Sequence, residues 1–381
     1  MDVQTIIANA RAATGLEDIG DPAALEGLEV LVKASNEEAR LSERGAAMWE
    51  ASITSYMVNR LKTVDYINKH PELLERPIEK PTFVFGLPRT GTTLTINLLS
   101  ADPARRCYRR FEALDAVPPV SGDYKADPRY QAELAKGEMA KKYMPQIAAI
   151  HWEDADSPSE DQYSMAQSFC SQIYDSQVNI PSYRAWFFAA DYVPTFRFQK
   201  QILQVLQENV GGKWTLKNPW HPLFLDALTT VYPDAELVMT HRDPVEVVGS
   251  ACSLLKAVRP IYTEDLRLGE IAECLLATFD QMIARQNAYR DKHGENAIFD
   301  IQYAEQLKDP IGTQRRLYEH FGTPFTAEAQ AGMQQMMDYN PQGKHGKHHY
   351  TLEEFGLSAK WVRDHFKEYT DRFAIPTKAV D

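Results

Sequence analysis

The residues with the clearest chemical potential are Gly86-Leu87-Pro88-Arg89-Thr90-Gly91-Thr92-Thr93. Two glycines bracket a tight turn, and one guanidinium and three threonine hydroxyls crowd it. The apolar run Phe83 to Phe85 ahead of it reads as a short buried strand, and Leu94, Ile96, Leu98 and Leu99 behind it read as an apolar helix. Strand, glycine loop and helix N-terminus together cradle a phosphate-like anion. Loop amides point inward, and the helix end adds a partial positive charge. A loop that holds a nucleoside triphosphate is spaced G-x-x-x-x-G-K-[ST]. Here Thr92 stands in place of that lysine, and the cation, Arg89, sits inside the loop. Without a lysine to reach the outer phosphates, ATP or GTP hydrolysis is disfavoured. A single anionic ester, gripped by backbone, Arg89 and hydroxyls, is the expected ligand.

Two further cations sit where an open parallel sheet places ligands, at the ends of strands. Trp214 to Lys217 reads as a strand that ends in a lysine and is stopped by Asn218-Pro219. Glu236 to Thr240 reads as another, which runs into His241-Arg242-Asp243-Pro244 and a helix that carries Ser250 about two turns in. Two strand–loop–helix anion sites in one sheet call for a ligand with two anionic groups. Arg105, Arg106, Arg109 and Arg110 form a cationic stretch that would flank the anion, and Glu112, 21 residues past Gly91, could serve as a general base. Near the end, Asn340 to Tyr350 holds Lys344, His345, Lys347 and two more histidines among glycines. No spaced carboxylate or cysteine makes these a metal set. A basic loop that closes over an anion fits better.

The rest of the chain must position these groups. Residues 1 to about 78 read as helices, with Asp21-Pro22 as a helix start and a stop near His70-Pro71. They carry no catalytic constellation and are expected to form a helical cap on a main domain spanning 79–381. Residues 120–145 read as a loop and an exposed helix. Residues 151–200 hold eleven aromatics, which makes this segment the candidate wall of an acceptor pocket. Ala297 to Tyr303 reads as a further strand, and Ser358 to about Arg372 as a final helix. The net charge of −12 disfavours nucleic-acid binding, so an anion site must be a local cationic cluster. The four cysteines are scattered without metal or disulfide spacing. No apolar run reaches the length of a membrane span, and the first residues do not resemble a signal peptide, so the cytoplasm is the expected compartment.

These motifs resemble the sulfotransferase superfamily, and within it a bacterial cytoplasmic branch, over nearly the whole chain. Gly86 to Thr93 matches the family's 5′-phosphosulfate loop. His241 to Ser250 matches its 3′-phosphate motif, including the arginine-to-serine spacing of eight. Leu216 to Pro219, Tyr303 to Pro310 and Asn340 to Leu357 follow the branch's pattern as well. The resemblance implies a P-loop-like α/β fold, three layers around a central parallel sheet. It implies 3′-phosphoadenosine-5′-phosphosulfate (PAPS) as donor, a small-molecule hydroxyl acceptor and no metal; a homo-oligomer is left open. Carried over residue by residue, Arg89, Thr90, Gly91, Thr92 and Thr93 would hold the 5′ end of the donor. Arg242, Ser250, Tyr303, Lys344 and His345 would hold the rest of the nucleotide. Arg89, Glu112 and Lys217 would do the chemistry, Glu112 as base, with His151 and Glu160 as alternatives for that role. The rival readings are a P-loop kinase or NTPase and a non-catalytic nucleotide-binding protein.

Overall fold

The computed structural model describes residues 1–143, 154–339 and 350–378. Its centre is a sheet of five parallel strands: β1 (Thr82–Gly86), β2 (Arg105–Cys107), β3 (Lys213–Lys217), β4 (Glu236–His241) and β5 (Phe299–Gln302), in the order β2-β3-β1-β4-β5. Every residue of β1 is buried, as a central parallel strand requires. Successive side chains face opposite sides. Phe83, Phe85, Leu237 and Met239 join the larger apolar cluster, whereas Val84 and Val238 join a smaller one with Leu98, Leu99, Ile301, Leu317 and Met333. This period of two gives the three layers, with helices on both faces. The register pairs Val84 with Lys217, Gly86 with Thr240, and His241 with Gln302. The C-terminal ends of β1, β3, β4 and β5 therefore open into one crevice.

Most of the expected elements are present with small shifts in their bounds. The last helix is broken in two, Ala359–His365 and Lys367–Arg372. Strand β2 is a correction. The spacing predicts a cationic stretch beside the anion, but Arg105 and Arg106 are buried. Arg105 donates to Tyr318 Oη (2.8 Å), Thr82 Oγ1 (3.0 Å) and Thr215 Oγ1 (3.1 Å). Arg106 lies over the Trp214 ring and pairs with Glu112. A short edge strand beside β3 has room for long side chains that turn inward onto buried hydroxyls, a ring and a carboxylate, and charge counting cannot see that.

The N-terminal helices are Val3–Thr14, Ala23–Glu38 and Glu43–Lys69: the first and third are capped, the Asp2 carboxylate accepting from Thr5 N–H (3.0 Å) and the Ser42 hydroxyl from Gly45 N–H (3.0 Å), whereas the second begins after Pro22, one residue later than the Asp21-Pro22 start implies, with no side-chain cap there. Their buried faces continue the larger cluster. Trp49 meets the rings of Tyr174 and Tyr262 edge-on and donates its indole N–H to Ser35 Oγ (2.9 Å). Arg60 is buried, donates to the carbonyls of Ile19, Asp21 and Gln167, and lies 4.2 Å from the Phe198 ring centroid. Burial pulls its pKa down to about 10, and the attraction of Asp21 and Asp18 only partly opposes this. The aromatics of 154–200 follow the same logic. Phe169, Tyr174, Tyr183, Phe187 and Phe196 are fully buried and pack ring against ring beneath these helices. These five are core, whereas Tyr163 of the same segment lines a cavity. Because the helices share that core, Trp49→Ala should cost about 3–5 kcal/mol. Urea unfolding should remain one transition, seen identically by circular dichroism and tryptophan fluorescence. A separate early transition for the N-terminal helices would show that they are an independent unit.

Candidate active site

The loop after β1 is shaped by backbone conformations that few residues adopt. Gly86 has φ 148° and Gly91 φ 102°, and between them Arg89 sits at φ 71°. A Cβ on Gly86 would stand 2.4 Å from the Thr240 carbonyl oxygen, and one on Gly91 would stand 2.4 Å from the Tyr303 ring. The loop is thus pressed between β4 and the residue that follows β5. Thr90 is consumed in building it: its hydroxyl bonds the Leu87 carbonyl and Thr240 Oγ1, both at 2.6 Å. The N-terminus of helix Thr92–Ser100 receives no side-chain cap and faces the crevice with Thr92 and Thr93. These are the orphan N–H groups that an anion would satisfy.

Arg89 and Arg242 come together at this loop. The Arg242 guanidinium donates to the Arg89 carbonyl (3.0 Å) and to Glu246 (3.0 Å), and lies 4.9 Å from the Tyr303 ring centroid. Arg89 donates to Ser250 Oγ (3.2 Å). Burial, followed by the like charge of Arg242, holds the Arg89 pKa below its ordinary value. Both changes penalise the cation, and a bound anion would relieve the second directly.

A cavity of about 640 Å³ runs from this cationic end into the protein. Arg89, Gly91 to Leu94, Arg242 and Tyr303 line one end of it. Beyond them lie Glu160, Gln162, Tyr163, Pro219 and Trp220, and then the helix Pro244–Val258. Glu160 stands at the junction. Its carboxylate accepts from Lys217 Nζ at 3.0 Å, and Lys217 is 1% exposed against 12% for Glu160. The backbone holds the pair in place, because Asp161 N–H donates to the Lys217 carbonyl (3.0 Å) and residue 160 bridges residue 217 in parallel. Beneath, Asp161 pairs with His221 Nε2 at 2.9 Å, both fully buried.

Glu112, the expected base, is elsewhere. It is fully buried, pairs with Arg106 Nη2 at 3.0 Å, accepts weakly from Arg109 N–H, and does not line the cavity. Its carboxylate closes a capping box on the short helix Arg110–Leu114. Placing it by its distance from Gly91 fails, because that distance does not reveal the fold of the intervening strand. Arg109 stacks on Tyr124, and only Arg110 of the four arginines reaches the cavity, paired with Glu133 at 2.7 Å. Lys344, His345 and His151 lie outside the described residues.

The profile of the sulfotransferase family matches residues 81–327, well over half the chain. The chain belongs to that family. Its activity is therefore sulfuryl transfer, and it is an enzyme. Two solved sulfotransferases share the fold over almost their whole length. STF9 from Mycobacterium avium is 33% identical (TM-score 0.92, covering 99% of this chain and 98% of that one). STF1 from Mycobacterium tuberculosis is 29% identical (TM-score 0.87, 97% and 99%). A sequence relative in Mycobacterium bovis, the omega-hydroxy-beta-dihydromenaquinone-9 sulfotransferase Stf3, is 23% identical over 77% of this chain and 75% of its own. No described helix of this sulfotransferase is long and apolar enough to cross a membrane.

Gly91 tests whether the sulfotransferase loop, as shaped here, holds an anion. Gly91→Ala forces a side chain into a left-handed position against Tyr303, at about 1–3 kcal/mol of strain. Calorimetry with 3′,5′-bisphosphoadenosine should then show affinity at least tenfold weaker than in the unaltered protein. An unchanged affinity would mean that the loop is not the anion cradle.

Proposed function

We propose that the enzyme takes its sulfuryl group from PAPS and passes it to the hydroxyl of a small-molecule acceptor, with Glu160 as the base. The observation that carries this reading is the Glu160–Lys217 pair at the junction of the cationic end and the rest of the cavity. Glu160 lines the same cavity as Arg89, Thr92 and Thr93, and its charge is felt at Arg89.

The donor's two anionic groups match the two cationic places. The 5′ end fits the amides of residues 90–93, the hydroxyls of Thr92 and Thr93, and Arg89. The 3′-phosphate fits Arg242 and Ser250, a planar guanidinium with an adjacent hydroxyl, beside Tyr303. Arg242 would exchange a contact to Glu246 for the phosphate. Residues Lys344 and His345, in the basic glycine segment, are assigned to the same end of the nucleotide. In the transfer, the acceptor oxygen forms a bond to sulfur as the bond from sulfur to the 5′-phosphate oxygen breaks in line, and the acceptor proton passes to Glu160. As Glu160 becomes neutral, its hold on Lys217 weakens, and the ammonium is free to meet the negative charge that gathers on the leaving phosphate. Arg89 steadies the sulfuryl oxygens. The protein's part is to position and to stabilise charge, as in phosphoryl transfer.

Isosteric variants separate the two glutamates. Glu160→Gln should leave bisphosphate affinity nearly unchanged and lower turnover by roughly 10²–10⁴. Glu112→Gln should instead lower thermal stability, because it strips the charge from a buried pair with Arg106, while the folded fraction turns over nearly normally. If Glu160→Gln retains normal turnover and Glu112→Gln abolishes it without unfolding, the base assignment reverses. For the donor, Arg242→Ala should weaken the bisphosphate by roughly 2–4 kcal/mol and scarcely affect adenosine 5′-phosphosulfate, which lacks the 3′-phosphate. Equal losses for both nucleotides would place the 3′-phosphate elsewhere.

A further inference from the structure

The helix Pro244–Val258 does two jobs along its length. Its first turns carry Arg242's partner Glu246 and Arg89's partner Ser250. From Ser250 onward the side chains that line the cavity are Ala251, Leu254, Leu255 and Val258. They fall at i, i+3, i+4 and i+7, one continuous face of the helix. At 1.5 Å per residue, that face runs about 10–12 Å away from the anion site. Leu275, from the helix Leu268–His293, and Ile173, from the short helix Gln172–Gln177, line the same cavity. All six of these side chains are hydrocarbon. The charged groups of the cavity are confined elsewhere: Arg89, Arg242, Glu160 and Asp154, with Arg110, Glu133, Lys136 and Glu138 on the side of helix Pro128–Tyr143.

Ser176 and Gln177, on the same short helix as Ile173, also line the cavity, but the Ala251-Leu254-Leu255-Val258 face itself carries no polar side chain, so a sugar or another polyol laid along that face would lose hydrogen bonds to water without replacing them, which is costly. A hydrocarbon body would replace water against hydrocarbon and gain with each methylene buried. We infer that the acceptor is an alcohol borne on an extended apolar body. Its hydroxyl reaches Glu160 and its hydrocarbon portion lies along the Ala251-Leu254-Leu255-Val258 face toward Leu275. This inference rests on the reading of Glu160 and Lys217 as the transfer point and names the class of substrate that the point serves. Val258, at the far end of the face, then limits the length accepted.

The test uses the full chain, 3′-phosphoadenosine-5′-phosphosulfate labelled in its sulfate, and a series of straight primary alcohols from four to twelve carbons, with a pentose of similar size to the shorter alcohols as polar control. The expected result is that kcat/KM rises about two- to fourfold per methylene, the value of burying a methylene, until the wall is filled, and then levels off. The pentose should be a poor acceptor. Val258→Trp should move the levelling-off point to shorter alcohols, and bisphosphate titration reports whether the variant is folded. Transfer that ignores chain length, efficient sulfation of the pentose, or an unmoved levelling-off point in the folded Val258→Trp variant would each overturn the inference while leaving the transfer reading intact. Bound bisphosphate with no alcohol sulfated at any length would overturn it too. Failure to bind the bisphosphate at all, by contrast, would bring down the donor reading on which it stands.

Discussion

Two guanidinium groups held together at the edge of a sheet are the feature on which the rest depends. Arg89 and Arg242 come from loops after β1 and β4, and both are removed from much of the water that would screen them. Their mutual repulsion is tolerated because surrounding polar groups are arranged to share it: Ser250 on one side, Glu246 and the Arg89 carbonyl on the other. The anion proposed for this site would relieve that repulsion directly. The tight conformations of Gly86 and Gly91 follow from the same demand. Only a loop that turns sharply at both ends can aim its amides and Arg89 at one point while β4 and Tyr303 press against it.

The parallel sheet makes this arrangement inexpensive to hold. Its register brings the ends of β1, β3, β4 and β5 to one level, so Arg242 and Tyr303 reach the crevice without long loops, and Lys217 lies just behind its wall against Glu160. Lys217 is almost fully buried, and a buried ammonium requires a partner. Glu160 supplies it from a segment tied to β3 by backbone hydrogen bonds. Asp161 and His221, buried below, form a second hydrogen-bonded contact that anchors the same segment against the turn after β3. The Glu160–Lys217 pair is therefore set by two layers of contacts, and a shift in either layer would move both side chains.

The N-terminal helices contribute no group to the chemistry, but they are not ornamental. They cover the aromatic layer beneath the cavity, and buried Arg60 ties them to it through three backbone carbonyls. A site that stores like charge needs a stiff surround, and that layer provides it at one remove from the substrate.

The sequence by itself determined the glycine loop, the second cationic strand end and the parallel sheet, and it was the ground for proposing a doubly anionic ligand. Each of these is written in local order: glycines that only a strained turn needs, strands as apolar runs, and cations at their ends. It also placed Lys217 correctly at the end of β3. What only the tertiary structure decided was which groups meet. Glu112 follows the loop at a suggestive distance, yet edge strand β2 turns it inward onto Arg106. Glu160, fifty-seven residues before Lys217, is brought against that lysine by a backbone bridge that no periodicity announces. Most rings of the aromatic segment went to the core for the same reason, with Tyr163 left on the cavity wall. Composition records how apolar a segment is, whereas the packing of helices against one another decides whether its rings face a cavity or each other.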